Sequence, residues 1–197
     1  HLLAVAQRPA SAVELHSMRG LAGKTVVITG GGSGIGEAAV QRFRDAGCQV
    51  HVLDLRPGPG ILPTDVADLA QVERAFAQIG PANVVINCAG ISFRTPALEL
   101  APEQWNRVLS TNLTGVFNVC RTAARDMLQA DGGIIINVAS TNAFFGYPFY
   151  TDYNATKAGV IALTKTLAVE WAPTVRVVAV AQGTCSLLCR RPSTHQR

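Results

Sequence analysis

No apolar run in this chain approaches the ~20 residues that a membrane-crossing helix needs, so no membrane partner is expected. Charge is sparse as well: Asp, Glu, Lys and Arg make up 15% of the 197 residues, against roughly 25% in an average soluble domain. That scarcity suits strands buried on both faces, and the length suits one domain with a substantial core. The net charge of +4 is misleading. Residues 185–197 contribute Arg190, Arg191 and Arg197 and no acid, leaving 14 basic against 13 acidic residues elsewhere. Nucleic-acid binding needs a basic stripe, and the body of the chain has none. Histidine is confined to His1, His16, His51 and His195, in or near the tails or inside a strand, which argues against a histidine-based mechanism. The five cysteines (Cys48, Cys88, Cys120, Cys185, Cys189) are odd in number and scattered. No His or Cys pair completes a zinc set, so no metal is expected. They read as reduced bystander thiols of a cytoplasmic protein.

The ends lack periodicity. Leu2–Ala6 is an apolar run shorter than the roughly 7–15 residues of a signal-peptide core, with no positive charge before it. Residues 1–20 are expected to be a disordered leader. Between them and the tail, residues 21–184 alternate apolar strands with amphipathic helices, the pattern of an α/β, doubly wound parallel sheet in three layers, a Rossmann arrangement. Strands are expected at Thr25–Thr29, Gln49–Asp54, Ile61–Asp65, Val84–Asn87, Ile134–Val138 and Val175–Val180. Helices are expected at Gly34–Ala46, around Leu69–Ile79, from Pro102 to Ala130 with a break near Asn112, and at Tyr153–Trp171. Residues 185–197 read as an atypical tail that follows a strand without covering it. A truncated, alternatively spliced or frame-shifted end is expected there, because an open strand edge is a liability.

Two motifs carry chemistry. Thr29-Gly30-Gly31-Gly32-Ser33-Gly34-Ile35-Gly36 lies between a strand and a helix, the context in which a glycine turn cradles a pyrophosphate on free helix N–H groups. Gly30, Ser33, Gly34, Ile35 and Gly36 are the candidate phosphate contacts. Asp54, eighteen residues beyond Gly36 at the end of the second strand, would accept hydrogen bonds from the ribose and repel a 2′-phosphate, favouring NAD over NADP. Arg56 is the dissenting residue. The second motif is Tyr153-x-x-x-Lys157, thirteen residues after Ser140. Tyrosine and lysine four apart share a helix face. The ammonium is expected to lower the phenol pKa and make Tyr153 a general acid/base. Ser140 would donate a hydrogen bond to the substrate oxygen.

On these residues, 21–183 resemble a short-chain dehydrogenase/reductase of the classical type. The Thr29–Gly36 turn matches the family's cofactor turn, Asp65-Val66 the pair that borders the adenine, and Asn87-Cys88-Ala89-Gly90 its Asn-Asn-Ala-Gly motif with one substitution. The resemblance implies cofactor contacts at Asp65, Val66, Asn87, Ala89 and Gly90. It also implies that Lys157, like Tyr153, touches the nicotinamide ribose, and that Asn112 positions a water that relays the proton. It departs at Gln182-Gly183, where the family has Pro-Gly, and at Leu187, where it has a threonine. The final strand and lid helices are missing from the pattern. The implied activity is hydride transfer between NAD(H) and a small secondary alcohol or ketone, in a homo-oligomer, dimer or tetramer. A truncated, non-catalytic nucleotide-binding protein is the other reading the sequence leaves open.

Overall fold

The computed structural model describes residues 20–183. The expected leader, Gly20 apart, and the 185–197 tail with Cys185, Leu187 and Cys189 lie outside the described residues. Six parallel strands form one sheet in the order β3-β2-β1-β4-β5-β6: β1 Thr25–Thr29, β2 Gln49–Asp54, β3 Ile61–Pro63, β4 Val84–Asn87, β5 Gly133–Ser140 and β6 Val175–Gln182. Five α-helices connect them: α1 Gly34–Asp45, α2 Leu69–Ile79, α3 Pro102–Leu109, α4 Gly115–Gln129 and α5 Thr151–Glu170. The chain winds outward from β1 through β2 to β3, then crosses back to β4 on the other side of β1. The strand order reverses there, and the crevice at the carboxyl ends of β1 and β4 is where an open α/β sheet binds ligands.

Both faces of the central strands are apolar because neighbouring residues point to opposite sides. Val27, Val85 and Ile135 bury against α2, α4 and α5, with Phe76, Val119, Met127 and Val160 in the same core. Val26, Ile28, Val52, Val84 and Ile86 face the other way and close over Val40 of α1. Fully burying side chains such as Ile28, Leu53 and Ile135 stabilises by about 1.5–3 kcal/mol each. On the α1 side the outer strands are barer among the described residues, with Ile134 and Val180 exposed.

The expected bounds hold for β1, β2, β4 and α2 and shift elsewhere. β3 stops at Pro63, short of the expected Asp65, because the Asp65 carboxylate accepts from the Ala67 N–H (2.9 Å) and curls the chain away from the sheet. β5 and β6 run on to Ser140 and Gln182, which pair with each other. The expected break near Asn112 is instead a π turn over Ser110–Thr114 that joins α3 to α4 without interruption. One surplus residue in the turn lets the fully buried Asn112 side chain face inward. Among the described residues no helix is long and apolar enough to cross a membrane.

Candidate active site

The crevice at the switch point is a cleft of about 560 Å³. Gly30, Ser33, Ile35 and Gly36 of the glycine turn line it, together with Asp54, Arg56, Asp65, Val66, Ala89 and Gly90. The glycine turn is tight because it must be. Gly30 has φ +66°, and a Cβ there would sit 2.7 Å from the backbone of Ala89. A Cβ on Gly36 would run into the Gly30 carbonyl oxygen. Ser33 caps α1 without a side-chain bond to the helix, so the first-turn N–H groups and the positive end of the helix dipole are left for an anion. Gly34, with φ +58°, bends the entry to α1 and is not among the cleft-lining residues.

Asp54 Oδ2 accepts from the Gly32 N–H (3.0 Å) and its Oδ1 from the Arg56 N–H (3.0 Å), and the Arg56 guanidinium lies 3.8 Å from the same oxygen. Arg56 also donates to Ser33 Oγ at 2.8 Å. Arg56 thus spans the mouth of the glycine turn while half engaged by Asp54. Val66 is held by Asn118, whose amide donates to the Val66 carbonyl at 3.0 Å.

Asn87 is placed differently from the expectation of a cofactor contact. Its side chain is buried behind the cleft, donating to Asn137 Oδ1 (2.9 Å) and Cys120 Sγ (3.4 Å), while its own Oδ1 has no partner among the described residues. The residue ties β4 to β5. Its neighbour Cys88 does line the cleft, and burial pushes its thiol up to about 11, so it stays protonated and inert at neutral pH.

Ser140, Tyr153 and Lys157 come together next to the cleft without lining it; a Cβ on the cleft residue Gly90 would lie 3.9 Å from Lys157 Nζ. Ser140 ends β5, and α5 presents the other two on one face. The buried Lys157 donates to the Val138 carbonyl at 2.7 Å, and its Nζ stands 5.5 Å from the centroid of the Tyr153 ring. Burial drags the lysine down from 10.5 to about 8. The expected lowering of the tyrosine is not found: desolvation raises the Tyr153 phenol above its ordinary value, with the Ser140 hydroxyl pulling the other way. Burial outweighs neighbours here, because a charge is costly in a medium of low polarity. Asn112 braces the site: its Oδ1 accepts from the Ile91 N–H (2.8 Å), while Nδ2 donates to the Ile91 carbonyl (2.8 Å) and to Thr156 Oγ1 (3.3 Å).

Two residues with no sequence signal complete the constellation. Ser140 Oγ donates to Asn142 Oδ1 (3.3 Å) and accepts from the Asn142 N–H (3.2 Å). Asn142 Nδ2 in turn donates to Asn154 Oδ1 at 2.9 Å, and Asn154 Nδ2 to the Tyr147 carbonyl at 3.0 Å. This amide relay fixes the serine hydroxyl against the start of α5. Only the adjacency of Asn142 to Ser140 and of Asn154 to Tyr153 could have flagged them.

Residues 24–196 match the family model described as short chain dehydrogenase. An uncharacterized oxidoreductase of Thermotoga maritima is 36% identical over 183 residues, covering 83% of this chain and 72% of that protein. The 3beta-hydroxysteroid dehydrogenase 1 of Eggerthella lenta is 36% identical over 185 residues, covering 83% and 71%. Among solved structures, the ligand-free aldohexose dehydrogenase of Thermoplasma acidophilum superposes with a TM-score of 0.79 at 31% identity, covering 83% of this chain and 68% of that one.

Proposed function

Since the chain belongs to the short-chain dehydrogenase family, we propose that it is an oxidoreductase interconverting a secondary alcohol and a ketone, with NAD(H) in the cleft as hydride carrier. The observation that carries the reading is the convergence of Ser140, Tyr153 and Lys157 beside a cleft whose glycine turn admits a backbone-bound anion. The uncapped N-terminus of α1 suits a pyrophosphate. Asp54 suits ribose hydroxyls, and its hold on Arg56 leaves that guanidinium less free for a 2′-phosphate, which supports NAD(H) over NADP(H).

Each residue then has a task. Tyr153, raised by burial, carries its proton at neutral pH, the form that protonates a carbonyl oxygen during reduction. In oxidation the phenolate takes the proton back from the alcohol. Lys157 supplies positive charge toward that phenolate, and the Ser140 hydroxyl, turning its one proton away from Asn142 Oδ1, donates a hydrogen bond to the same substrate oxygen. Exposed Phe117 and Leu128 on α4 and Val169 on α5 support a homo-oligomer. The test is Tyr153→Phe, which keeps the ring and removes the proton. Turnover should fall by about 10²–10⁴-fold while NAD(H) affinity stays nearly constant. A variant keeping more than a few per cent of kcat would refute the assignment.

A further inference from the structure

Half of the chain's twelve aromatic residues fall between Phe144 and Tyr153, in a protein where aromatics total only 6%. Within this segment Phe145, Tyr147 and Phe149 are 62%, 41% and 40% exposed. Phe144, itself 64% exposed, borders a separate apolar cavity with Ile161, Ala168 and Val177. Large rings left in water forfeit the burial that makes aromatics useful, so three together beside a catalytic centre point to a ligand that covers them.

The segment is held in place at several points. Asn154 grips the Tyr147 carbonyl, and the Phe149 carbonyl accepts from the Thr95 N–H at 2.9 Å. Phe149 adopts φ +71°, a left-handed conformation that a bulky side chain seldom takes. Such strain persists where the surroundings over-determine it, and it clusters at functional sites. The Arg94 guanidinium lies over the same ring, 5.0 Å from its centroid, so that charge is occupied on an aromatic face.

The amide and carboxylate side chains around the segment are spent on one another. Asn142 is engaged by Ser140 and Asn154. Gln104 accepts from Thr95 Oγ1 (3.2 Å) and donates to Asp152 Oδ2 (3.0 Å), and the other oxygen of Asp152 accepts from the Tyr153 N–H (2.7 Å). Residues 141–151 contain no charged side chain. A site for a sugar or polyol needs free donors and acceptors for each hydroxyl, since a buried unpaired hydroxyl is penalised. Phe145 and Phe149 offer none, and the segment's only side-chain groups left for one are the hydroxyls of Thr141, Tyr147, Tyr150 and Thr151.

We propose that Phe145, Tyr147 and Phe149 form the substrate-facing wall of the oxidoreductase read above, on which this inference rests, and that the substrate is a secondary alcohol or ketone carrying an extended, ring-bearing apolar body. The wall disfavours polyols, since two of its three rings give a hydroxyl nothing to bond. The test compares kcat/KM with NAD+ for 1-(2-naphthyl)ethanol, 2-propanol and D-sorbitol. The naphthyl alcohol should exceed the other two by about 100-fold, since even one well-packed methylene is worth roughly tenfold or more. Phe145→Ser/Tyr147→Ser should cut that ratio about tenfold. A ratio near one, or sorbitol as the better substrate, overturns the wall and leaves the oxidoreductase standing. No turnover of any alcohol overturns the parent reading instead. The wall is then judged by equilibrium dialysis of 2-acetylnaphthalene, which the double variant should retain about tenfold less well and which, retained equally, refutes it. Loss of self-association in the double variant, with the substrate ratio intact, would show that the rings cover a protein contact and would also overturn the proposal.

Discussion

Lys157 offers the most direct check on the electrostatics, because the reading needs no substrate. The perturbation is pH, applied to the wild-type protein and to Lys157→Met. Burial holds the lysine at about 8 in the folded chain against 10.5 unfolded. Below pH 8 both states carry the proton, and the fold bears the cost of a buried ammonium. Between 8 and 10.5 the unfolded chain binds more protons than the folded one, so stability rises with pH. From pH 7 to pH 10 the gain works out at about 2–3 kcal/mol. The residue is 5% exposed, so solvent screening takes little from that figure. In a chain of this size it corresponds to roughly 5–10 °C in Tm. Loss of the bond to the Val138 carbonyl lowers the variant's stability at every pH and so cancels from the slope. Denaturant unfolding at unit pH steps, followed by circular dichroism, should show the wild-type curve climbing away from the variant's. Parallel curves across that interval would refute a buried, depressed lysine and with it the geometry at Tyr153.

Two further outcomes are expected. NAD(H) should bind at least about tenfold tighter than NADP(H), or about 1.4 kcal/mol, and Asp54→Ala, which frees Arg56, should narrow or invert that preference in a fluorescence titration; equal affinities in the wild type would show that Arg56 dominates. Gly36→Ala drives a Cβ into the Gly30 carbonyl, so Tm should drop by about 5 °C or more, from overpacking of roughly 1–3 kcal/mol, with NAD(H) binding lost in the fluorescence titration; an unchanged Tm would mean the turn is looser than described.

What the sequence made legible follows the strength of the local signal. β1, β2 and β4 were bounded correctly because Thr25–Thr29, Gln49–Asp54 and Val84–Asn87 are apolar or β-branched runs ended by turn residues. The π turn was visible only as a disturbance: a single extra residue shifts the helical period too little to be read as anything but a break. At the site, motif spacing placed Ser140, Tyr153 and Lys157 together. It gave the wrong sign for the phenol, since a sequence shows who the neighbours are and not how much water is left. Asn87 was assigned to the cofactor by its motif, yet the direction of its side chain depends on which strand lies beside it. Asn142 and Asn154 escaped notice because neutral amides carry no fixed spacing and acquire meaning only once β5 and α5 are side by side.

The pairing of Asn87 with Asn137 has a consequence for how the chain finds this sheet. Val84-Val85-Ile86 and Ile134-Ile135-Ile136 are nearly uniform runs, and two such strands could zip together out of step at little loss of oiliness. The two asparagines lie directly opposite each other in the observed alignment, with Thr164 of α5 accepting from Asn137 at 2.9 Å. A slip of one residue would turn the amides to opposite sides and strand each in hydrocarbon. The pair therefore acts as a notch and tooth, making one alignment of two greasy, interchangeable ribbons the only one that closes, and so delivering Ser140 to the end of its strand at the right height.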